Sequence, residues 1–400
     1  MKRLNGWDAF FLYGETPNVH QHTLKIAVVD MTDFADEATF DMFVETFKRR
    51  LHRLEPLSYQ LVDIPLHLHR PMWRERVELD LEYHLRRVQV PAPGGRRELD
   101  AVLGQVASTP LDRNYPLWEI HYAEGLADHR VAIIAKVHHA LADGVASANL
   151  MALAMEWPEP AEDDRARYIA DRSPSRAELL SAAASDHLAQ LRRLPAALAV
   201  GVGGMARSWR RGRERGRHSE LARNFSPPAS FMNHKLTPRR TFASATLSLA
   251  EVKQTAKHLG ITINDLILAT ASRALRTLLL ERDGRADQPL IAAVPISIDL
   301  SPDRIAGNEL SMMSVSLPVQ VSDALEQVRL AHVATKKAKE DHELLGRRTI
   351  STGIEYSSPV ALIALFRFAS RRAGANSFNL SISNVPGPRQ RGCVAGALSR

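Results

Sequence analysis

A break in the middle of the chain constrains its fold more than any other feature. Residues 161–238 interrupt a regular alternation of strand-like and helix-like segments. The interruption follows the polar, proline-bearing EWPEPAEDDRARYIADRSPSR with an alanine- and leucine-rich run, then MARSWRRGRERGRHSE and NFSPPAS. Such composition suits a linker with one or two helices, not a packed core. The 400 residues are long for one core and comfortable for two. The expected organisation is therefore an α/β half at 1–160, a basic linker or crossover at 161–238, and a second α/β half at 239–400.

Periodicity places the elements. HTLKIAVVD (22–30) reads as a strand, and ATFDMFVETFKRRL (38–51) carries Phe40, Phe43, Val44, Phe47 and Leu51 at helical spacing. RRELDAVLGQVAST (96–109) is a helix stopped by Pro110, and WEIHYAEGL (118–126) and RVAIIAKV (130–137) are paired strands. Asp143 is placed to cap the helix that follows. In the second half, 239–249 alternates like a strand, LAEVKQTAKHLG is a helix closed by Gly260, and Thr262 caps a long helix ending near Gly284. Strands are predicted at 289–299, 314–319 and 377–388, and helices at 322–341 and 357–374. No internal repeat is visible at solenoid periods.

Composition removes several classes. Charged residues make up 24% and hydrophobic residues 45%, an ordinary globular mixture. The single cysteine, Cys393, excludes a disulfide framework and fits a reducing compartment. The first residues show no secretory signal, and neither PAALAVGVGGMA (195–206) nor ALIALF (361–366) reaches the length of a membrane span. A cytoplasmic location is expected. The net charge of +7 suits acidic partners: nucleic acid, an anionic lipid surface or a phosphate-bearing substrate.

The chemistry centres on HHALADG (138–144), at the end of a predicted strand. Adjacent histidines on an extended chain point to opposite faces and do not readily share a metal ion. The i, i+4 histidine pair of a helical zinc site is absent, as is the G-x-S-x-G turn of a serine nucleophile. General base catalysis is the remaining chemical role: a histidine held in one tautomer can take a proton from an alcohol or amine. Asp143 could fix the loop by an ion pair or by capping, and Gly144 would let backbone or substrate approach closely. The alternative, from these seven residues alone, is a satisfied histidine pair beside a core strand.

HHALADG matches the HHxxxDG signature of the CoA-dependent acyltransferase superfamily, and the chain resembles the bacterial wax ester synthase/acyl-CoA:diacylglycerol acyltransferase family. Further elements follow in that family's order. WDAFFLYGE (7–15) resembles its D-x-x-F-L-x-x-E element, and PLDRNYPLWEIHYAEGL carries the PLW element at Pro116, Leu117 and Trp118. ITINDLILA carries the Asn-Asp element at Asn264 and Asp265; GNELS and NLSISNVPGPR match the later elements. The resemblance covers the chain except the linker. It implies two chloramphenicol-acetyltransferase-like domains, each a mixed sheet with flanking helices, with an active-site tunnel between them. His139 would be the general base, acting on a diacylglycerol or fatty alcohol hydroxyl that attacks acyl-CoA directly. His138 would orient the loop, Asp143 would support it, often by pairing with an arginine, and Asn264 would stabilise the oxyanion or cap its helix. No cofactor or metal is implied, acyl-CoA being a substrate. The family continues for several tens of residues beyond the Asn-Val-Pro-Gly-Pro element, so the second half is expected to be cut short. A related acyltransferase with another alcohol or an amine as acceptor, and an inactive lipid-binding relative, are the competing functions.

Other residues suit structural roles. Trp118 is expected to pack beside the site strand, and His20 with His22, like His67 with His69, to be exposed polar residues sharing a strand face. Asn308 and Asn384 suit turns. The run Arg207, Arg210, Arg211, Arg213, Arg215 and Arg217 contains one aromatic residue, Trp209, and no nucleic-acid-binding module. A solvated linker and a peripheral membrane or lipid-droplet contact are the two roles that fit it.

Overall fold

A computed structural model describes residues 1–32, 39–155, 170–214, 221–222, 226–371, 377–387, 393–394 and 397–398. The first half runs β1 (Lys2–Arg3), α1 (Gly6–Gly14), β2 (His22–Asp30), α2 (Phe40–Arg50), β3 (Gln60–Val62) and β4 (Met72–Arg74). It continues with α3 (Leu81–His84), β5 (Leu85–Gln89), α4 (Arg96–Ser108), β6 (Trp118–Leu126), β7 (Arg130–His138) and α5 (Gly144–Ala154). The long α6 (Arg176–Glu214) then leads to α7 (Leu249–His258), α8 (Ile263–Arg282), β8 (Leu290–Ser297), β9 (Leu310–Leu317) and α9 (Ala324–Leu345). Last come α10 (Thr349–Glu355), α11 (Pro359–Arg371), β10 (Leu380–Ser381), β11 (Cys393–Val394) and β12 (Ala397–Leu398).

The sheet that carries the histidine motif has strand order β2-β7-β6-β5. β7 lies antiparallel to both β2 and β6, so it is central and its alternating side chains are covered on both faces. One face, with Ala132 and Ile134, packs on Leu99, Val102, Leu103 and Val106 of α4. The other, with Ile133, Ala135 and Val137, joins the cluster built from Phe43 and Phe47 of α2, Trp118 of β6 and Leu150 of α5. Burial at about 25 cal/mol per Å² of apolar surface stabilises this two-sided sandwich. The second half has a three-stranded sheet, β10-β8-β9, packed through Val294 and Val315 on Leu268 and Leu279 of α8 and Ala334 and Ala338 of α9. Thr262 and Asp265 form a reciprocal capping box at the start of α8, and Gly260 takes φ 65° after α7.

Several expectations change. Residues 239–248 form no strand: Phe242 and Leu247 are exposed, and polar contacts tie the segment to α4. Arg240 N donates to Ser108 Oγ at 2.7 Å and Ser244 N to Asp100 Oδ2 at 3.0 Å. The alternation there belongs to a tether across the first half, not to a sheet. In 377–388 the paired strand shortens to Leu380–Ser381, and 383–387 are exposed. His67 lies in a short 3-10 turn with φ 51° and is exposed, while His69 is buried, so these two share no strand face. The linker region carries α6, a 39-residue helix with Pro195 inside it. Arg207, Arg210, Arg211 and Arg213 lie on α6; Arg215 and Arg217 fall outside the described residues.

Candidate active site

The two histidines diverge as strand alternation requires. His138, fully buried, ends β7 opposite His22 of β2. Its Nδ1 accepts a hydrogen bond from Ala140 N at 3.0 Å, which leaves the ring proton on Nε2, and Nε2 faces Glu15 Oε1 at 3.5 Å. Glu15 is in turn held by Arg113 at 2.8 Å. Burial opposes ionisation of Glu15, but the His138 and Arg113 partners outweigh it and hold its carboxyl down at about 2. His138 thus knits the loop to α1 and to the segment before β6.

His139 turns the other way. Its backbone N–H donates to Gln21 O at 2.6 Å, and its ring stacks on Phe11 with centroids 3.9 Å apart. Nδ1 lies 3.0 Å from Oδ1 of Asn308, a residue 1% exposed and contributed by the second half. The Asn308 amide is oriented by two acceptors: its Nδ2 donates to Asp8 Oδ1 at 2.8 Å and to His139 O at 2.7 Å. Asn308 Oδ1 must therefore accept from His139 Nδ1–H, and the lone pair of the imidazole lies on Nε2. Burial holds His139 down at about 4, with Lys25 adding to the effect, so the ring is uncharged at neutral pH. Asp8, buried at the third position of α1, is pushed up by that burial to about 7.

Asp143 does both things suggested for it. Its Oδ1 accepts from Ala146 N at 2.9 Å as the cap of α5, and its carboxylate pairs with Arg304 at 2.9 Å. Asp143 Oδ2 also accepts from Glu309 N at 3.1 Å, and a parallel bridge joins Ala142 to Gly307. The motif loop is thus stitched to the 304–309 loop of the second half. Gly144 allows a side-chain approach: a Cβ there would lie 2.7 Å from Val385 Cγ2. Asn264 stands half-buried at the second position of α8 beside Asp265, whose carboxylate contacts His332 Nδ1 at 2.9 Å. Among the described residues, no hydrogen bond joins Asn264 to the His139 cluster.

The sequence-derived set therefore assembles around His138, His139, Asp143 and Gly144, with Asn264 outside it. Asp8, Phe11, Glu15 and Arg304 were not singled out for roles, and Asn308 was placed in a turn. A signal was available for three of them. Asp8, Phe11, Leu12 and Glu15 follow i, i+3, i+4, i+7, one helical face, and that face meets the motif. Trp118 packs in the core as expected, fully buried, its Nε1 donating to Leu57 O at 2.6 Å. His20 and His22 are half-buried, not exposed, and His20 lies before β2; both rings contact Ala107 O. Among the described residues no group of three or more His, Cys, Asp or Glu could hold a metal ion.

A cleft of about 660 Å³ reaches Asn5, Asp8, Arg304 and Asn308 where the halves meet. Two α/β halves that meet at His139 have the two-domain fold of the chloramphenicol-acetyltransferase type. Residues 4–267 match the wax ester synthase/diacylglycerol acyltransferase catalytic domain and 306–398 the C-terminal domain of the same family, and the chain belongs to that family of O-acyltransferases. A Mycobacterium tuberculosis protein, Rv0221, whose name assigns it provisionally to the diacylglycerol O-acyltransferases, is 54% identical over 400 residues, covering 100% of this chain and 84% of the relative. A second from that organism, Rv1760, provisionally named likewise, is 33% identical over 97% of this chain and 77% of its own length. The solved wax ester synthase/diacylglycerol acyltransferase of Marinobacter aquaeolei VT8 superposes with a TM-score of 0.64 at 26% identity, covering 100% of this chain and 85% of that one. The first condensation domain of the CDA synthetase has the same fold, with a TM-score of 0.54 at 13% identity over 100% of this chain and 84% of that domain.

Proposed function

We propose that the protein transfers a long-chain acyl group from acyl-CoA to the hydroxyl of diacylglycerol or a fatty alcohol, with His139 as general base. The observation that carries this is the fixed tautomer of His139: Asn308 Oδ1 accepts a hydrogen bond from Nδ1–H, which leaves the Nε2 lone pair free to take a proton. In that role Nε2 removes the acceptor's hydroxyl proton as the oxygen attacks the thioester carbonyl. The C–S bond of the tetrahedral intermediate then breaks, and the imidazolium returns its proton to the leaving CoA thiolate. His138 and Asp143 hold the loop, Gly144 admits Val385, and Asn264 is kept as an oxyanion donor that substrate closure would have to bring in. The catalysis uses no cofactor.

The test uses purified protein, a long-chain acyl-CoA and a mixture of diacylglycerol and fatty alcohol, following ester and free CoA together. Ester formed by the wild type, with a loss of roughly 10²- to 10⁴-fold in His139→Ala, is the expected result. CoA release without ester would point to hydrolysis or to a different alcohol or amine acceptor. Neither product from a folded protein would leave the lipid-binding role alone.

The substrates live at lipid surfaces, and we infer that α6 provides the contact. Leu188, Leu191, Leu198, Val202 and Met205 are each more than half exposed and fall on one face of the helix. Arg192 lies beside that stripe and Arg193 on the opposite face, and Arg207 to Arg213 follow along the helix. No described helix is long and apolar enough to cross a membrane. Leu191→Glu with Leu198→Glu should abolish sedimentation with anionic liposomes and leave CoA release from dispersed substrate unchanged. High salt should weaken the wild-type association through screening.

A further inference from the structure

The His139 cluster can take a proton, but its own donors are spent. Both Nδ2 hydrogens of Asn308 are committed, one to Asp8 and one to His139 O. Arg304 is held by Asp143, Asp299 and Gly307 O. One nearby cation is not used up in this way. Lys25 of β2 stands opposite Ala135 of β7 and is half-buried. Side chains two apart on a strand share a face, so Lys25 and Thr23 lie on the side that Ala135 and Val137 present, which leads toward His139. That side floors a narrow, almost wholly apolar cavity roofed by α2 and α5, and Lys25 lines it. The Lys25 Nζ turns back toward the motif and donates to Thr23 Oγ1, which gives its own hydrogen to Val137 O at 3.4 Å. An ammonium carries three hydrogens; among the described residues the other two have no acceptor, and no carboxylate pairs with the amine.

From this geometry we propose that Lys25 is a second catalytic residue, whose unpartnered ammonium hydrogens bind the thioester carbonyl oxygen and stabilise the negative charge that forms there. The proposal rests on the acyltransferase reading above and adds a residue to it. As the acceptor oxygen bonds to the carbonyl carbon, its proton passes to His139 Nε2 and the carbonyl π electrons move onto the oxygen facing Lys25. They return when the C–S bond breaks. The electrons of that bond leave with sulfur, which takes the proton back from His139, and Lys25 keeps its own protons throughout. A cation without a counter-ion in apolar surroundings is costly, and burial pulls Lys25 down to about 8. Asp143 opposes this but is already paired with Arg304. Of the charges acting on His139, that of Lys25 is the largest. It opposes a lone imidazolium, but it favours the imidazolium–oxyanion pair, because it touches the oxyanion and not the ring. The charged and titratable groups around the amine are His139, Asp143 with Arg304, and Arg50 of α2 across the cavity; α5 offers Ser147, and β7 presents apolar side chains on this face.

Lys25→Met keeps the length of the stem and removes the charge. With a long-chain acyl-CoA and a fatty alcohol, kcat should fall by roughly 10²-fold with KM little changed, and Lys25→Arg should recover part of the loss. Wild-type kcat should decline above about 8 as the amine loses its proton, and Lys25→Met should lack that decline. The acid limb of Lys25→Met should move up, because the cation that depresses His139 is gone. A lysine that only holds the fold would lower the melting temperature on removal; Lys25→Met should leave it unchanged or raise it. Dodecylphosphonate, an anion on a linear chain, should bind the wild type and bind Lys25→Met roughly tenfold or more weakly by calorimetry. If Lys25→Met does not fold, Lys25→Gln takes its place in each measurement. Ester made equally by wild type and Lys25→Met would overturn the role of Lys25 and leave the acyltransferase reading standing. No ester from a folded wild type would count against that reading, and phosphonate binding would then decide Lys25 without turnover. Equal phosphonate affinity in the two proteins, or none in the wild type, overturns the proposal.

Discussion

At the scale of the residue, His139 is defined by its neighbours more than by its motif. Asn308, anchored by Asp8, selects the tautomer, and Phe11 holds the ring plane. Asn308→Ala should lower kcat by roughly ten- to a hundredfold with little change in KM, because the ring then samples the unproductive tautomer. Asn308→Asp, which keeps an acceptor facing Nδ1, should recover part of that loss. The pH dependence follows from the same burial. With His139 held at about 4, turnover should persist below the ordinary histidine value of 6.5 and fall only as the ring protonates. The sign for stability is the same. Its folded pKa lies below the unfolded value, so the unfolded chain binds the proton first. The His139 contribution is full above 6.5 and is lost as pH falls toward about 4. Denaturant titrations of wild type and His139→Gln across that window would show whether the slope difference has this sign.

Among the elements, α1 and α5 carry the site. α1 uses one face for Asp8, Phe11 and Leu12, and Glu15 caps its end, so a nine-residue helix touches both histidines through its side chains. α5 begins at the one position where a side chain would collide with Val385. Gly144→Ala should destabilise the protein by about 1–3 kcal/mol through overpacking, and Val385→Ala in the same chain should restore most of it. Equilibrium denaturation of the two single variants and the double variant checks this. If Val385→Ala gives no rescue, the clash is not the reason for glycine here. Residues 239–248 teach the converse lesson. Alternation alone does not make a strand when the partners on offer are the polar ends of Ser108 and Asp100 on a helix.

The whole molecule is held at the site by contacts that cross between the halves. Asp143 and Arg304 pair with side chains 5% and 11% exposed, and Asn308 reaches across to His139. Asp143→Ala takes one carboxylate from Arg304, which keeps Asp299 and the Gly307 carbonyl, and removes the α5 cap, so it should cost roughly 1–3 kcal/mol. Arg304→Ala should cost a similar amount. The double variant should cost much less than the sum, and chemical denaturation of the cycle measures the coupling. Full additivity would mean that the pair does not join the halves energetically.

Much of this protein was legible in its sequence. Strands at 22–30 and 118–126, the capping of α5 and α8, and the opposed faces of His138 and His139 are local consequences of periodicity and hydrogen-bonding side chains, which act over a few residues. The family resemblance rests on equally local strings. Tertiary structure alone decided that Asn308, 169 residues from His139, is its partner and not a turn residue. It also decided that Val385 packs against position 144, and that the face of β7 leading toward His139 also floors an apolar chamber. These facts depend on which surfaces pack together, and packing joins residues whose separation along the chain leaves no periodic trace.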